Sequence, residues 1–571
     1  MTEVWKIPRM VWSLFPFPPW TAYDPQTMDR TLGSDPAARQ LLQRHKALYP
    51  PPSPVQHAAN VAPELGGMLI SGSIGEASTL IPLLASDASS HAISGMVYSG
   101  LLRYTGDLRL VGDLAESFEI SRDNLTLTFH LRKGVKWHDG APFTAKDVAY
   151  TWDVTVDPST RTAYAGDFQM VDTLETPDDF TVVVHYKEPF APALASWATS
   201  ILPAHLLEGK DIHTSELASK PVGTGPYRFG TWERGAQITL TANPDYFGGT
   251  VWIDRDRTRV IPDTASQFLE LKSGGIDSMG LTPPQYVRQT QGAEFQKKFE
   301  VYRYVSNSYT YLGFNLKNPL FEDVRVRQAI AYAIDTNELI EGVLMGQGIA
   351  TAVPYKPGHW AANTALYPYP HDPEKAKALL KEAGWEDHDS DGILDKDGHP
   401  FRFTVVTNQG NKMRESTAII LQQRLAKLGI EMKIRIVEWA AFLKQFIDTR
   451  EFEATILGWG LGNDPDQFDI FHSSKIKAPQ LNFLSFDNPE VDRLLVEGRT
   501  TFDQATRKKT YDRFQEILHE QVPLIPLYAP YALVAVDRRV HGIAVQAAGI
   551  DYNREEWFIP KAEQVHPTVA P

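Results

Sequence analysis

The 571-residue chain contains no cysteine. That removes thiol nucleophiles, iron–sulfur clusters, cysteine-ligated zinc and disulfides together. It also lacks any run of about 18 apolar residues, the length that a membrane-spanning helix needs. Positive charge is scarce: 56 Lys and Arg against 70 Asp and Glu leave a net charge of −14. A nucleic-acid binder carries a basic surface, so no nucleic-acid partner is expected. Enzymatic signatures are missing as well. There is no GxxxxGK(S/T) phosphate loop, and no GxGxxG follows a strand. "HEQVP" (519–523) lacks the second histidine of a zinc helix, and "SGSIG" (71–75) lacks the spacing of a serine nucleophile elbow. The opening "MTEVWKIPRMVWSLFPFPPW" is broken by Pro16, Pro18 and Pro19 and does not read as an ordinary export signal.

Hydrophobic residues make up 43% of the chain, enough for sizeable cores. The length suggests about three domains, or two lobes with an added subdomain. Residues 1–65 stand apart as an arm holding 11 of the 40 prolines, with one helix expected after Asp35-Pro36. It reads as a linker lying on the body, or as a docking arm. From Gly66 the texture is mixed α/β. "LTLTFHLRKGV" (125–135) alternates as a half-buried strand, and Thr144 with Asp147 forms a capping box opening a helix. "FTVVVHYK" (180–187) is a second strand. Asp372-Pro373 and Gly384 bound a helix with Ala376, Leu379, Leu380 and Ala383 on one side. Next come a strand (401–408), a helix with Ala418, Leu421, Leu425 and Leu428 in line, and a strand (430–439). This is a βαβ unit, hence a parallel pair. Ligands of such sheets sit beyond the carboxyl ends of strands, which puts Asn408 and Gln409 on a candidate rim.

Two stretches suggest sites. In "ATILGWGLGNDPDQF" (454–468) an apolar strand runs into Trp459, then into Gly460, Leu461, Asn463 and Asp464. Tryptophan supplies a wall, glycine lets a ligand backbone approach, and the polar pair offers hydrogen bonds. In "DHDSDGILDKDG" (387–398), Asp387, Asp389, Asp391, the Ile393 carbonyl and Asp395 fall at positions 1, 3, 5, 7 and 9 of a calcium loop. Gly398 stands where a bidentate glutamate belongs, so the segment is either a weak structural Ca²⁺ site or a solvated turn. No other cofactor is expected.

Four blocks carry a family likeness: "AESFEISRDNLTLTFHLRKGVKWHDGAPFTAKDVAYTWD" (115–153), "LPAHLLEG" with "PVGTGPYRFGTWERG" (202–235), "YLGFNLKNPLFEDVRVRQAIAYAID" (311–335) and "GWGLGNDPDQFDIFHSS" (458–474). They resemble the bacterial extracellular solute-binding proteins of family 5, the peptide- and nickel-type receptors of ABC importers. The resemblance runs from about Gly66 to Lys561. It implies an α/β, periplasmic binding protein-like type II fold, two lobes with a hinge plus an extra subdomain. Lobe I would comprise 66–103, 222–312 and 520–561, the subdomain 104–221, lobe II 313–519 and a tail 562–571. It further implies a non-enzymatic, periplasmic or extracytoplasmic monomer that closes on an oligopeptide or peptide-like solute and delivers it to importer membrane subunits.

By the same resemblance Trp459 lines the pocket and Gly460 and Leu461 pair with an extended ligand. Many peptide-binding members place an aspartate soon after that Trp to receive the ligand's amino group. Here Leu461 and Gly462 occupy that place, and Asp464 is the nearest acid. Glu76, Ser78 and Thr79 would form the first-lobe rim, with Tyr98 and Tyr528 lining opposite sides. The alternatives are an oligosaccharide receptor of the same family, a secreted glycoside hydrolase with two carboxylates about 5–9.5 Å apart, and a scaffold protein with a filled cleft.

Overall fold

The computed structural model describes residues 62–478 and 480–565. The helix expected after Asp35 and nearly all of the proline-rich arm lie outside them. Ala62–Leu65 are described, and Glu64 accepts a hydrogen bond from the Lys561 N–H at 2.8 Å, which joins the first and last described segments on lobe I.

Local signals form the elements expected of them. Thr144 and Asp147 complete a capping box that opens the helix Ala145–Val156. The strand Thr126–Leu131 buries Leu127, Phe129 and Leu131, and pairs with Ala115–Ile120 and Thr181–Tyr186. With Val171–Asp178 these make a separate four-stranded sheet. Its core is the subdomain's own, with Trp197 against Phe129 and Phe168. Asp372 caps the helix Pro373–Glu382. The βαβ unit is present: Arg402–Asn408 runs parallel to Glu431–Val437, joined by the helix Lys412–Ala426. Gly429 ends that connection at φ +79°, a conformation that costs a side-chain-bearing residue energy.

A 12-stranded sheet spans both lobes. Its continuity rests on one long strand, Leu524–Asp537. The first half pairs with Ser308–Phe314 in lobe II, from Gly313↔Leu524 to Thr310↔Tyr528. The second half pairs with Phe299–Val305 in lobe I, from Val305↔Tyr531 to Phe299↔Asp537. Both chains therefore cross between lobes at the same level, at Ser306–Asn307 and Ala529–Pro530. Pro530 has no N–H to give, and its carbonyl accepts from Ser306 N at 3.1 Å. The expected lobe boundaries at 312/313 and 519/520 are corrected by this pairing. Tyr309, Tyr311 and Leu312 are core residues of lobe II, and so are Leu524, Ile525, Leu527 and Tyr528. The strand pattern alone did not show where its partner changed.

Arg327 clamps the lobe II end of this crossing. Buried at 4% exposure, it donates to the carbonyls of Glu322 (2.9 Å), Gln521 (2.6 Å) and Val522 (3.1 Å). Burial lowers its pKa to about 10, so it stays charged at neutral pH. Arg327→Ala strands several buried carbonyls. Chemical denaturation should show a loss of about 3 kcal/mol in the lobe II transition.

Candidate ligand-binding cleft

The strand Ala454–Gly460 forms the floor of the cleft. Along one side it is fully paired, from Phe314↔Ala454 to Ser308↔Gly460. On the other side it is paired only at Val405↔Ala454 and Val406↔Thr455. Leu461 N–H donates to the Asn307 carbonyl at 2.8 Å, which fixes the parity of the ladder. Odd-numbered residues turn their peptide groups to the paired side, and Gly458 and Gly460 turn theirs to the uncovered edge. Thr407 Oγ1, donating to the Ile456 carbonyl at 2.8 Å, marks that same edge.

This geometry alters the expected pairing. Leu461 spends its N–H on Asn307, whose side-chain amide also donates to the Leu461 carbonyl. Gly460 stays available, and Gly458 takes the place expected of Leu461. Trp459 stacks on Phe483 with centroids 5.5 Å apart, and its buried Nε1 has no hydrogen-bond partner. Asn408, at the end of the neighbouring strand, accepts from Arg414 Nη1 at 2.8 Å. Gln409 is exposed beside it, its N–H held by the Val437 carbonyl at 2.7 Å.

Other expected residues are occupied within the protein. Both oxygens of Asp464 accept from Arg507, at 2.7 and 2.8 Å. The Asn463 carbonyl faces His359 Nε2 at 3.3 Å. Glu76 Oε1 accepts from Trp232 Nε1 and Gly235 N–H, both at 2.8 Å, tying the first-lobe turn to a hairpin. Ser78 Oγ donates to Asp87 at 2.6 Å, and Thr79 Oγ1 accepts from Ile81 N–H at 3.3 Å. Tyr98 is buried in the lobe I core at 3% exposure, with burial pushing its phenol up. Tyr528 is a correction: it is wholly buried inside lobe II, its hydroxyl 3.0 Å from Thr417 Oγ1. It does not form a wall facing Tyr98, because the long strand buries residues of both parities.

The Asp-rich loop brings carboxylate oxygens of Asp387, Asp389 and Asp395 within 4.8 Å of one another. Asp391 is not part of that group. It accepts from Ile393 N–H at 2.8 Å and lies 3.8 Å from Arg402. The three carboxylates suit a hard cation in donor type. They equally accept local N–H groups: Asp387 from Gly392, Asp389 from Asp391 and Asp395 from His388.

The cleft is closed by contacts between the subdomain and lobe II. Ala191 N–H donates to the Arg499 carbonyl at 2.6 Å, and the Arg499 guanidinium lies 5.6 Å from the Phe190 ring. Arg499 reaches Asp466 at 2.6 Å and Asp469 and Asp167 at 3.7 Å, while Lys475 meets Asp469 at 2.7 Å. Asp167 comes from the subdomain, and the other four come from lobe II. On the opposite flank Lys356 Nζ donates to the Ala547 carbonyl of lobe I at 3.0 Å.

The sequence reading missed Arg414, Arg499 and Asp167. Arg414 carried one signal: a cation in the first turn of a helix opposes the macrodipole. Arg499 and Asp167 carried none, because their partners are far away in the chain.

A closed two-lobed body around a strand edge is built to enclose a solute. The family model for bacterial extracellular solute-binding proteins, family 5 Middle, matches residues 109–477. The chain belongs to this family. It is 35% identical over 508 residues to the oligopeptide-binding protein AppA of Bacillus subtilis, covering 87% of this chain and 93% of the relative. The solved structure of that protein in complex with a nonapeptide superposes with a TM-score of 0.83 at 34% identity, covering 88% of this chain and all of that one. NikZ of Campylobacter jejuni in complex with Ni(L-His) superposes at 0.79 and 29% identity, covering 86% of this chain and 99% of that one.

The cluster between subdomain and lobe II predicts a pH dependence of their contact. Burial between the lobes, reinforced by Asp469 and opposed by Arg499, pushes the Asp167 carboxyl up to about 7. A carboxyl raised in the closed form binds a proton more tightly there, so closure is favoured as pH falls through 7 and disfavoured above it. The effect is modest, because 35% of the side chain still meets solvent. Small-angle scattering should give a smaller radius of gyration at pH 6 than at pH 8, and Asp167→Asn should remove the difference.

Proposed function

We propose that this protein is an extracytoplasmic receptor of an ABC importer, capturing an oligopeptide or peptide-like solute between its lobes. The observation that carries the reading is the uncovered edge at Gly458 and Gly460. Two peptide groups face an edge with no strand paired beside them, and an extended main chain satisfies such an edge by strand addition. The names of the relatives support it: one binds oligopeptides, and its structure holds a nonapeptide. The receptor acts without turnover, as a monomer, and hands its cargo to the importer's membrane subunits. Among the described residues no helix is long and apolar enough to cross a membrane.

A second reading, a compact non-peptide solute in the same cleft, is favoured by one observation. Asp464, the nearest acid to the tryptophan motif, is fully engaged by Arg507 and leaves no free carboxylate there for a ligand ammonium. Native mass spectrometry of the protein as purified separates the two. Released short peptides establish the first reading, and a single small non-peptide mass establishes the second. Gly458→Ala places a methyl 2.9 Å from Arg414 Nη2 and 3.0 Å from the Tyr309 carbonyl. It should cut the amount of co-purifying ligand several-fold.

For the Asp-rich loop we propose a weak structural calcium site on Asp387, Asp389 and Asp395. Millimolar Ca²⁺ should then raise the melting temperature of the wild type and leave Asp389→Ala unmoved. An unmoved wild type makes the segment a plain turn.

A further inference from the structure

We infer that the short helix Ala165–Asp167 of the subdomain is a latch: lobe II seats on it at the bare Gly166, and this contact, away from the uncovered strand edge, sets how firmly the cleft is held shut. It uses none of the residues of that edge, so it stands for a peptide and for a compact solute alike. The helix is braced on both sides. Just before it, Thr162 Oγ1 donates to the Leu83 carbonyl and the Tyr164 hydroxyl to the Ala85 carbonyl, each at 2.7 Å, and His91 Nε2 lies 3.1 Å from the same hydroxyl. These ties lead into lobe I. Just after it, Phe168 enters the subdomain core against Trp197, with ring centroids 5.0 Å apart. Gly166 and Asp167 therefore stand on a mount shared by lobe I and the subdomain, and they meet lobe II.

The lobe II side is equally fixed. Lys475, buried at 5% exposure, holds Asp469 at 2.7 Å, and its ammonium lies 5.5 Å from the centroid of the Phe468 ring. The Arg499 guanidinium lies 3.9 Å from the same ring and reaches Asp466 and, across the contact, Asp167. A Cβ on Gly166 would sit 2.5 Å from Asp469 Oδ1 and 2.8 Å from Lys475 Nζ. Neither atom can swing freely aside, because each holds the other. Gly166 is buried and its φ is not positive, so its backbone would accept alanine without strain. What calls for glycine here is the seat: a close-packed contact has no room for one more methyl. A second bond is made only when lobe II is seated, from Ala191 N–H to the Arg499 carbonyl at 2.6 Å.

Gly166→Ala tests the latch in the full chain as purified. Hydrogen exchange read by mass spectrometry reports the Ala191 amide, whose acceptor belongs to lobe II, and small-angle scattering reports closure of the whole body. The added methyl should speed exchange at Ala191 about tenfold, the size of one overpacking step, and enlarge the radius of gyration. The strand Thr126–Leu131, inside the subdomain, should exchange as in the wild type. Asp469→Glu presses on the same seat from the lobe II side and should give the same result, so the test decides even where Gly166→Ala fails to fold. Equal exchange at Ala191 in the wild type and a folded variant overturns the latch. Faster exchange that spreads through Thr126–Leu131 overturns it as well, and makes Gly166 a packing residue of the subdomain. Neither result bears on the peptide reading, which is decided by the mass of the released solute.

Discussion

The structure depends on the pairing of one strand with two partners. Leu524–Asp537 is the common member of both lobes' sheets, held on the lobe II side by Ser308–Phe314 and on the lobe I side by Phe299–Val305. The lobes thus share main-chain hydrogen bonds and are not merely joined by linkers. The two crossings lie at Ser306–Asn307 and at Ala529–Pro530, the latter paired with Gly348–Ile349, and the uncovered edge lies beside the first of these through Ser308↔Gly460. The crossing between the lobes and the uncovered strand edge are therefore neighbours in the structure.

The cleft's charge arrangement follows from this closeness. Three arginines approach it, and two are neutralised within the chain: Arg499 by Asp466 and its neighbours, Arg507 by Asp464. Those pairs belong to the walls and to the contact between subdomain and lobe II. The third, Arg414, has only Asn408. Asp464 and Asp466 are thus paired within the chain, and Arg414 is left with a neutral partner.

Much of the fold was legible in the sequence because its signals are local. Thr144 with Asp147, and Asp372 with Gly384, act within a few residues of themselves, so their helices appear where the capping chemistry puts them. The βαβ unit was legible for the same reason, through the stripe from Ala418 to Leu428. The site was less so. Trp459 and Gly460 stood out by residue type, but whether a peptide group faces a partner or a cleft depends on ladder parity, set here by Asn307, 154 residues away from Leu461. Tyr528 was misplaced because an aromatic in a strand buried on both faces resembles one on a pocket wall. Glu76 and Ser78 were expected on a rim, and their oxygens are taken by Trp232 and Asp87. Polar residue types mark candidates; only the tertiary partners show which remain unpaired.

The discontinuity of lobe I bears on how the chain comes to be folded. Arg554 donates to the buried Asp256 at 2.8 Å across 298 residues, and to Ser71 across 483. Trp557 and Ile559 fill a core whose other side is Leu69. During synthesis the amino-terminal strand Met68–Ser73 is made early and must wait for nearly the entire polypeptide before its core is complete. Lobe II and the subdomain can assemble from nearer segments, but lobe I is finished last, by the carboxyl-terminal stretch. A nascent chain of this design keeps its receptor body unfinished until release from the ribosome. The early-made strand Met68–Ser73 therefore has its core partners only once the carboxyl-terminal stretch has been made.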